Sequence, residues 1–406
     1  MLLYQLFISN RLDGNANIPR IVRIFVNLSP YMKKILQILI LFFLVSILDS
    51  CRESPCDISE YSIRIYSPVY ADGFKILGAE GMKSTIISMS RPWQGAEDED
   101  RMLFIRRGGE SVPEGFSGQV IDGDADRIVC MSSSHVAMLD AFSCADAVVG
   151  VSGLKYIFCD GIDKDRIVDV GYDENVDYES LVASAPDLVL LYGVYAESPL
   201  EKKLSQLGIP FMYVGDYLEE HPLGKAEWMV AIAEAMGRRD EAEKVFRPIA
   251  ERYNALKQKV DTPLRPKVML NTPYADVWFM PPAGSYMVRL IEDAGAEYVF
   301  KENTSSKSVA IDMEQAVRLS DSADFWLNAS GFESIEALGA RFPRFKASRP
   351  VVEGKVYNCD RRLNASNGND FWESGVVCPD LVLADLIRIF HPELNLGGEL
   401  YYYRKL

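Results

Sequence analysis

The run Ser132-Ser133-Ser134-His135 sets three hydroxyls beside an imidazole, the pairing from which an acyl-transfer nucleophile and its base could be built. Adjacency in the chain is not enough. A serine hydrolase needs its nucleophile on a sharp strand-to-helix turn, and no Gly-x-Ser-x-Gly elbow occurs. Metal chemistry has no better footing. The three histidines, His135, His221 and His391, lie far apart, and the cysteines form no Cys-x-x-Cys pair. At the start of a helix the serines can cap it, or offer hydroxyls and free N–H groups to an anionic group. Neither an enzyme, a metal site nor a resident cofactor is expected.

The elements around that run repeat a strand-then-helix logic. "RIVCM" at 127–131 reads as a buried strand, the serines as a helix N-cap, and "VAMLDAF" as an amphipathic helix. A second unit follows with the strand run "DLVLLYGV", a helix through Leu207, and the strand "IPFMYV" after Gly208. Between 239 and 260, Val245, Phe246, Ile249, Tyr253, Leu256 and Val260 recur at helical spacing. That predicts one helix of about 30 Å, bent at Pro248. A new series opens at "PKVMLN", continues through "SYMVRLIEDAG" and "MEQAVRLSDSADFWLNAS", and ends in "VCPDLVLADLIRIF", a helix with Pro379 near its start. "YSIRIYSPVY" at 61–70 and residues 85–89 add leading strands. The fold class expected is α/β, with two lobes of central sheet flanked by helices and a single long helix joining them.

The formal charge is −15, from 58 acidic and 43 basic residues. Such acidity disfavours nucleic acid as a partner. The largely apolar run Ile35–Leu48, 14 residues long, is too short to span a bilayer, which takes about 20. Behind Met32-Lys33-Lys34 they read as a signal peptide over 32–50, with residues 1–31 as a mis-assigned upstream extension. "LDSC" at 48–51 resembles the lipobox of bacterial lipoproteins, which implies acylation of Cys51 and a membrane tether. The six other cysteines read as small buried thiols, although pairing outside the cytoplasm stays open.

Taken in order, "RIVCMSSSHVAMLDAF", "VVGVSG", "VDVGYDENVDYESLVASAPDLVLLYG", "KLSQLGIPFMYV" and "NDFWESGVVCPDLVLADLIRIFHPEL" resemble the periplasmic substrate-binding proteins of ABC importers that carry ferric siderophores, haem and cobalamin. The resemblance spans nearly all of residues 51–406. It implies an N-terminal lobe over 51–238, an interlobe helix over 239–261, a C-terminal lobe over 262–406, and a ligand held between the lobes. It implies as partners an ABC permease with its ATPase, and as cargo a ferric siderophore first, cobalamin second and haem third. A periplasmic, lipid-anchored monomer is expected.

Ligands of α/β sheets sit beyond the carboxyl ends of the strands. That rule nominates Ser133 and His135 after the first strand, and Tyr156, Tyr172 and Tyr192 after later ones. In the second lobe it nominates Tyr274, Trp278 and Tyr286 within "NTPYADVWFMPPAGSY". Arg361, Phe371 and Trp372, with Arg362, Asn369 and Asp370, lie on a polar loop suited to a large acidic or flat ligand, or else sealed against its own lobe. Trp93 in "SRPWQGA" is a further aromatic of this kind. Each aromatic has a core reading beside the binding one. The resemblance also places permease docking on Glu201, or Glu197, in one lobe and on Glu292 in the other.

Overall fold

The computed structural model describes residues 56–172, 175–193, 196, 198–260, 262–274, 277–329 and 331–406. The expected signal segment, Cys51 and Glu197 lie outside the described residues. Among those described, no helix is long and apolar enough to cross a membrane.

The leading strands form a complete sheet. β1 (Ile63–Tyr66), β2 (Phe74–Gly78), β3 (Thr85–Ser90), β4 (Asp100–Arg106) and β5 (Gln119–Asp122) lie in that order. Pairing is antiparallel as far as β4, and β5 runs parallel to it. Alternation along β3 explains why this sheet can be buried on two sides. Ile87 and Met89 join the main core, while Ile86 packs with Tyr61 and Phe104 in a small cluster on the other face.

The second sheet has the order β10-β9-β6-β7-β8 and is wholly parallel. Its strands are β6 (Ile128–Cys130), β7 (Val148–Val151), β8 (Val168–Asp169), β9 (Leu188–Leu191) and β10 (Phe211–Tyr213). Helices α1 (Ser133–Ala141), α2 (Tyr178–Ala183) and α3 (Pro199–Leu207) lie along its connections. Central parallel strands are covered on both faces, so β6 and β9 read as unbroken apolar runs and are buried throughout.

Helix α4 (Pro222–Ala235) is buried at all 14 of its positions, and α5 (Arg239–Lys259) follows it with 21 residues and Pro248 inside. The third sheet then takes the order β13-β11-β15-β16-β17. It comprises β11 (Lys267–Leu270), β13 (Glu297–Tyr298), β15 (Phe325–Leu327), β16 (Val356–Asn358) and an antiparallel edge, β17 (Arg404–Lys405). β12 (Trp278–Met280) and β14 (Val309–Ile311) pair separately. Helices α6 (Tyr286–Asp293), α7 (Met313–Ser322), α8 (Ile335–Arg341), α9 (Arg349–Val352), α10 (Ser374–Val377) and α11 (Pro379–Phe390) complete the chain. Pro379 occupies the first turn of α11, where its missing N–H costs nothing. The result is a mixed α/β protein whose sheets are flanked by helices.

Three buried carboxylates fasten the first sheet to the rest. Glu227 accepts from the Tyr66 hydroxyl and from the N–H groups of Val69, Tyr70 and Ala71, each at 2.8 Å. Glu219 takes the N–H of Gly73 and the Trp228 indole, both at 2.9 Å. A Cβ on Gly73 would stand 2.7 Å from Trp228, so only glycine allows that approach. Glu234 pairs with Arg107 and Arg239 and accepts from Thr85. An unpaired buried carboxylate costs several kcal/mol, so these partners decide where the sheet sits. All six described cysteines are free thiols, with Cys130, Cys144 and Cys359 buried.

Candidate functional site

The carboxyl ends of the second sheet bring several nominated residues to one edge. After β6, Ser132 caps α1: its hydroxyl accepts the Ser134 N–H at 3.3 Å and lies 2.9 Å from the Ser134 hydroxyl. Ser133 is half-buried beside them. His135 departs from expectation. It points into the core, is fully buried, and has no hydrogen-bond partner on either ring nitrogen. Burial pushes its pKa down to about 4 against the pull of Asp216, so the ring is neutral near pH 7. It cannot touch a ligand without repacking.

After β7 and β8 stand Tyr156 and Tyr172, 41% and 50% exposed. Asp169 fixes the turn between them, accepting from the N–H groups of Gly153 and Leu154 at 3.0 Å each. Gly153 has φ +69°, and a Cβ there would lie 2.8 Å from the Tyr172 hydroxyl. Glycine therefore lets Tyr172 fold over the turn toward Tyr156. Desolvation, then the Tyr156 hydroxyl, raises the Tyr172 pKa above the ordinary phenol value. The Lys155 ammonium lies 4.8 Å from the Tyr156 ring centroid. Tyr192 directly follows β9 and is half-buried. Tyr217, beyond β10, is a further rim aromatic that the strand-end rule should have caught. It donates to the Gly193 carbonyl and accepts the Gln94 N–H, and burial pushes its pKa up to about 12. Trp93 is nearly buried, edge-on to Tyr213 and under the Arg101 guanidinium.

The third sheet treats its aromatics differently. Tyr274 follows β11 and is 80% exposed. Trp278 does not reach the surface. Its indole donates to the Leu270 carbonyl at 2.9 Å and packs 5.3 Å from the rings of both Trp326 and Phe345. Phe371 is likewise core, set edge-on to Trp372, Tyr402 and Tyr403, while Trp372 itself is 48% exposed. Tyr286 is half-buried at the start of α6 with the Lys225 ammonium 4.8 Å from its ring. The arginines are engaged: Arg361 with Glu399 at 2.7 Å, Arg362 with Asp370 at 2.5 Å. Of the docking acids, Glu201 accepts from the Tyr213 hydroxyl at 2.7 Å, and Glu292 is half-buried on α6.

Two residues overlooked in the sequence join the edge of the second sheet to the segment before α10. Asn364 donates to the carbonyls of Lys155 and Ile157 at 3.1 Å. Glu373, 2% exposed, accepts from Phe158 N–H at 2.8 Å and Cys159 N–H at 2.6 Å. A Cβ on Gly368 would come within 1.8 Å of the Tyr156 carbonyl, so the seam closes only on glycine. Nearby, Pro222, Lys225, Tyr286, Leu290 and Phe371 help to line a cavity of about 10 Å³, room for roughly one water. Exposed tyrosines therefore stand against a tight junction, an arrangement suited to gripping a guest by its faces.

A search of family profiles matches residues 128–363 to the periplasmic binding protein family. An uncharacterised lipoprotein of Methanocaldococcus jannaschii is 26% identical over 304 residues, covering 72% of this chain and 71% of its own. A periplasmic haem-binding protein from Pseudomonas aeruginosa superposes with a TM-score of 0.54 at 16% identity, covering 69% of this chain and 98% of its own. A periplasmic vitamin B12-binding protein of Vibrio cholerae gives 0.50 at 14% identity, with 67% and 99% covered. These two structures share the fold, and the profile covers more than half of the sequence. The chain belongs to the periplasmic binding protein family and is a binding protein rather than an enzyme.

Proposed function

We propose that the protein captures a bulky metal chelate between its lobes and passes it to an ABC permease and its ATPase. One observation carries this reading: Tyr156 and Tyr172 stand exposed together at the edge of a parallel sheet, beside the junction made by Asn364 and Glu373. Such rings give wide apolar contact at low entropic cost, and a junction formed in advance lowers the ordering cost of binding. Charge ranks the cargoes. With Arg361 and Arg362 held by carboxylates, the aromatic faces and Lys155 suit a flat tetrapyrrole, haem or corrinoid, better than a highly anionic ferric catecholate siderophore. On this reading a tetrapyrrole stands ahead of the ferric siderophore that the sequence placed first.

The test is a titration of the purified chain with hemin, cyanocobalamin and ferric siderophores, read by tryptophan fluorescence. Hemin or cyanocobalamin should saturate the change at one equivalent with a Kd of about 1 μM or below. Silence from all three up to about 100 μM would remove the reading. In cells, lipidation of Cys51 supplies the tether, in keeping with the lipoprotein name of the Methanocaldococcus relative. Docking falls on Glu201 and Glu292, with Glu292 the less engaged. Uptake of labelled ligand should be lost in both Cys51→Ser and Glu292→Lys, with the first chain released from membranes and the second retained. Retention of Cys51→Ser at the membrane would refute the lipid tether.

A further inference from the structure

The first sheet precedes residue 128, where the family match begins, and the segment joining β3 to β4 lies within it. That segment does not stay with its own sheet. Trp93 makes a parallel bridge with Gly193, the residue two past the end of β9, and so continues the edge of the second sheet. A Cβ on Gly193 would stand 2.2 Å from the Pro92 carbonyl oxygen, so the two backbones touch only because that residue is glycine. Tyr217 bridges them a second time, donating to Gly193 and accepting from Gln94. The Gln94 side chain then crosses to the third-sheet half of the molecule, where its Nε2 donates to the Ser306 carbonyl at 3.0 Å.

The segment is built as a stiff piece. Trp93 roots it between Tyr213 and Arg101. Arg91 N–H donates to the Glu99 carbonyl, Ala96 N–H to that of Trp93, and Glu99 N–H to that of Ala96. Arg91 holds φ +52°, which a non-glycine residue keeps only where its surroundings enforce it.

From this we infer that Pro92–Gln94 forms a third wall of the interlobe cleft, tying the two lobes across its β9–β10 side and limiting how far a ligand can extend there. The inference rests on the proposed interlobe binding site for its consequence, though not for its geometry. Glu373 and Asn364 close one side of the junction from the C-terminal half, and Gln94 spans the other from the first sheet. A guest is then bounded towards both ends of the second-sheet edge, and its larger substituents must leave between them.

Two variants of the full chain test the wall, read first without ligand. Gly193→Val drives a side chain into Pro92, and Gln94→Ala removes the crossing amide while leaving the packed residues intact. Hydrogen exchange should rise about tenfold at Ala96 and Glu99 in Gly193→Val, and within 303–308 in both variants, while β6 and β9 stay as protected as in the parent. Hemin should also leave each variant about tenfold faster. Unchanged exchange within 303–308 in Gln94→Ala would overturn the wall, whatever hemin does, and if Gly193→Val does not fold that variant still decides. Failure of hemin and cyanocobalamin to bind the parent would instead strike the proposed function and leave the exchange result standing.

Discussion

The two rims of the junction spend their aromatic residues in opposite ways. On the second-sheet rim Tyr156, Tyr172 and Tyr217 are all more than a third exposed. On the third-sheet rim Trp278 and Phe371 are core residues, leaving Tyr274 and Trp372 at the surface. The difference follows from strand geometry. In the second sheet the residues directly past β6, β8 and β10 are buried, and Tyr156, Tyr172 and Tyr217 stand three to five residues beyond their strands, where the chain has reached the edge. After β11 the chain instead turns back at Tyr274 into β12, and its period of two places Trp278 and Met280 inside with Phe279 outside. Trp278, near a strand end like these tyrosines, is core because a further strand takes it up.

Trp278→Ala is the sharpest way to break that comparison. Emptying a site walled by Trp326 and Phe345 should cost about 3–5 kcal/mol of stability by chemical unfolding, because the surrounding rings can close only part of the void. Tyr172→Ala should lie within about 1 kcal/mol of the parent and weaken hemin or cyanocobalamin binding by about tenfold. Should Tyr172→Ala unfold the protein instead, or Trp278→Ala prove harmless, the two rims would not differ in the way described.

The same contrast explains what could be read from the residues alone. Strongly periodic segments were legible: the helix expected over 239–260 runs Arg239–Lys259, and "DLVLLYGV" and "PKVMLN" supply β9 and β11. The helix at Ser133–Ala141 carries the cap its serines suggested, on Ser132. Short pieces held by partners far along the chain were not legible. β12 is three residues long and pairs with β14 some thirty positions on, so neither length nor alternation marks it. The completeness of the first sheet depends on Glu219, Glu227 and Glu234, which resemble ordinary helix-surface acids until their partners are known. Asn364 and Glu373 gave no signal for the same reason: their partners lie more than two hundred residues earlier.

A smaller effect tests the junction itself. Glu373 has its pKa raised to about 7, chiefly by burial; Asp370 adds to the rise, while the Phe158 and Cys159 N–H groups and Lys164 oppose it. A carboxyl whose folded-state pKa lies above its unfolded one binds more protons when folded. Its contribution to stability is therefore fully present below the ordinary carboxylate range and is lost as pH rises to about 7. Glu373→Gln cannot titrate, and whatever it loses in hydrogen bonding it loses at every pH. The stability of the parent minus that of Glu373→Gln should then fall by on the order of 1–3 kcal/mol between about pH 4 and about pH 8. A difference that stays flat across that interval would show that the carboxyl keeps one charge state throughout. Glu373 takes its hydrogen bonds from Phe158 and Cys159 and none from Tyr172, so Tyr172→Ala should leave this pH slope as it is in the parent, which separates the seam from the exposed tyrosine edge.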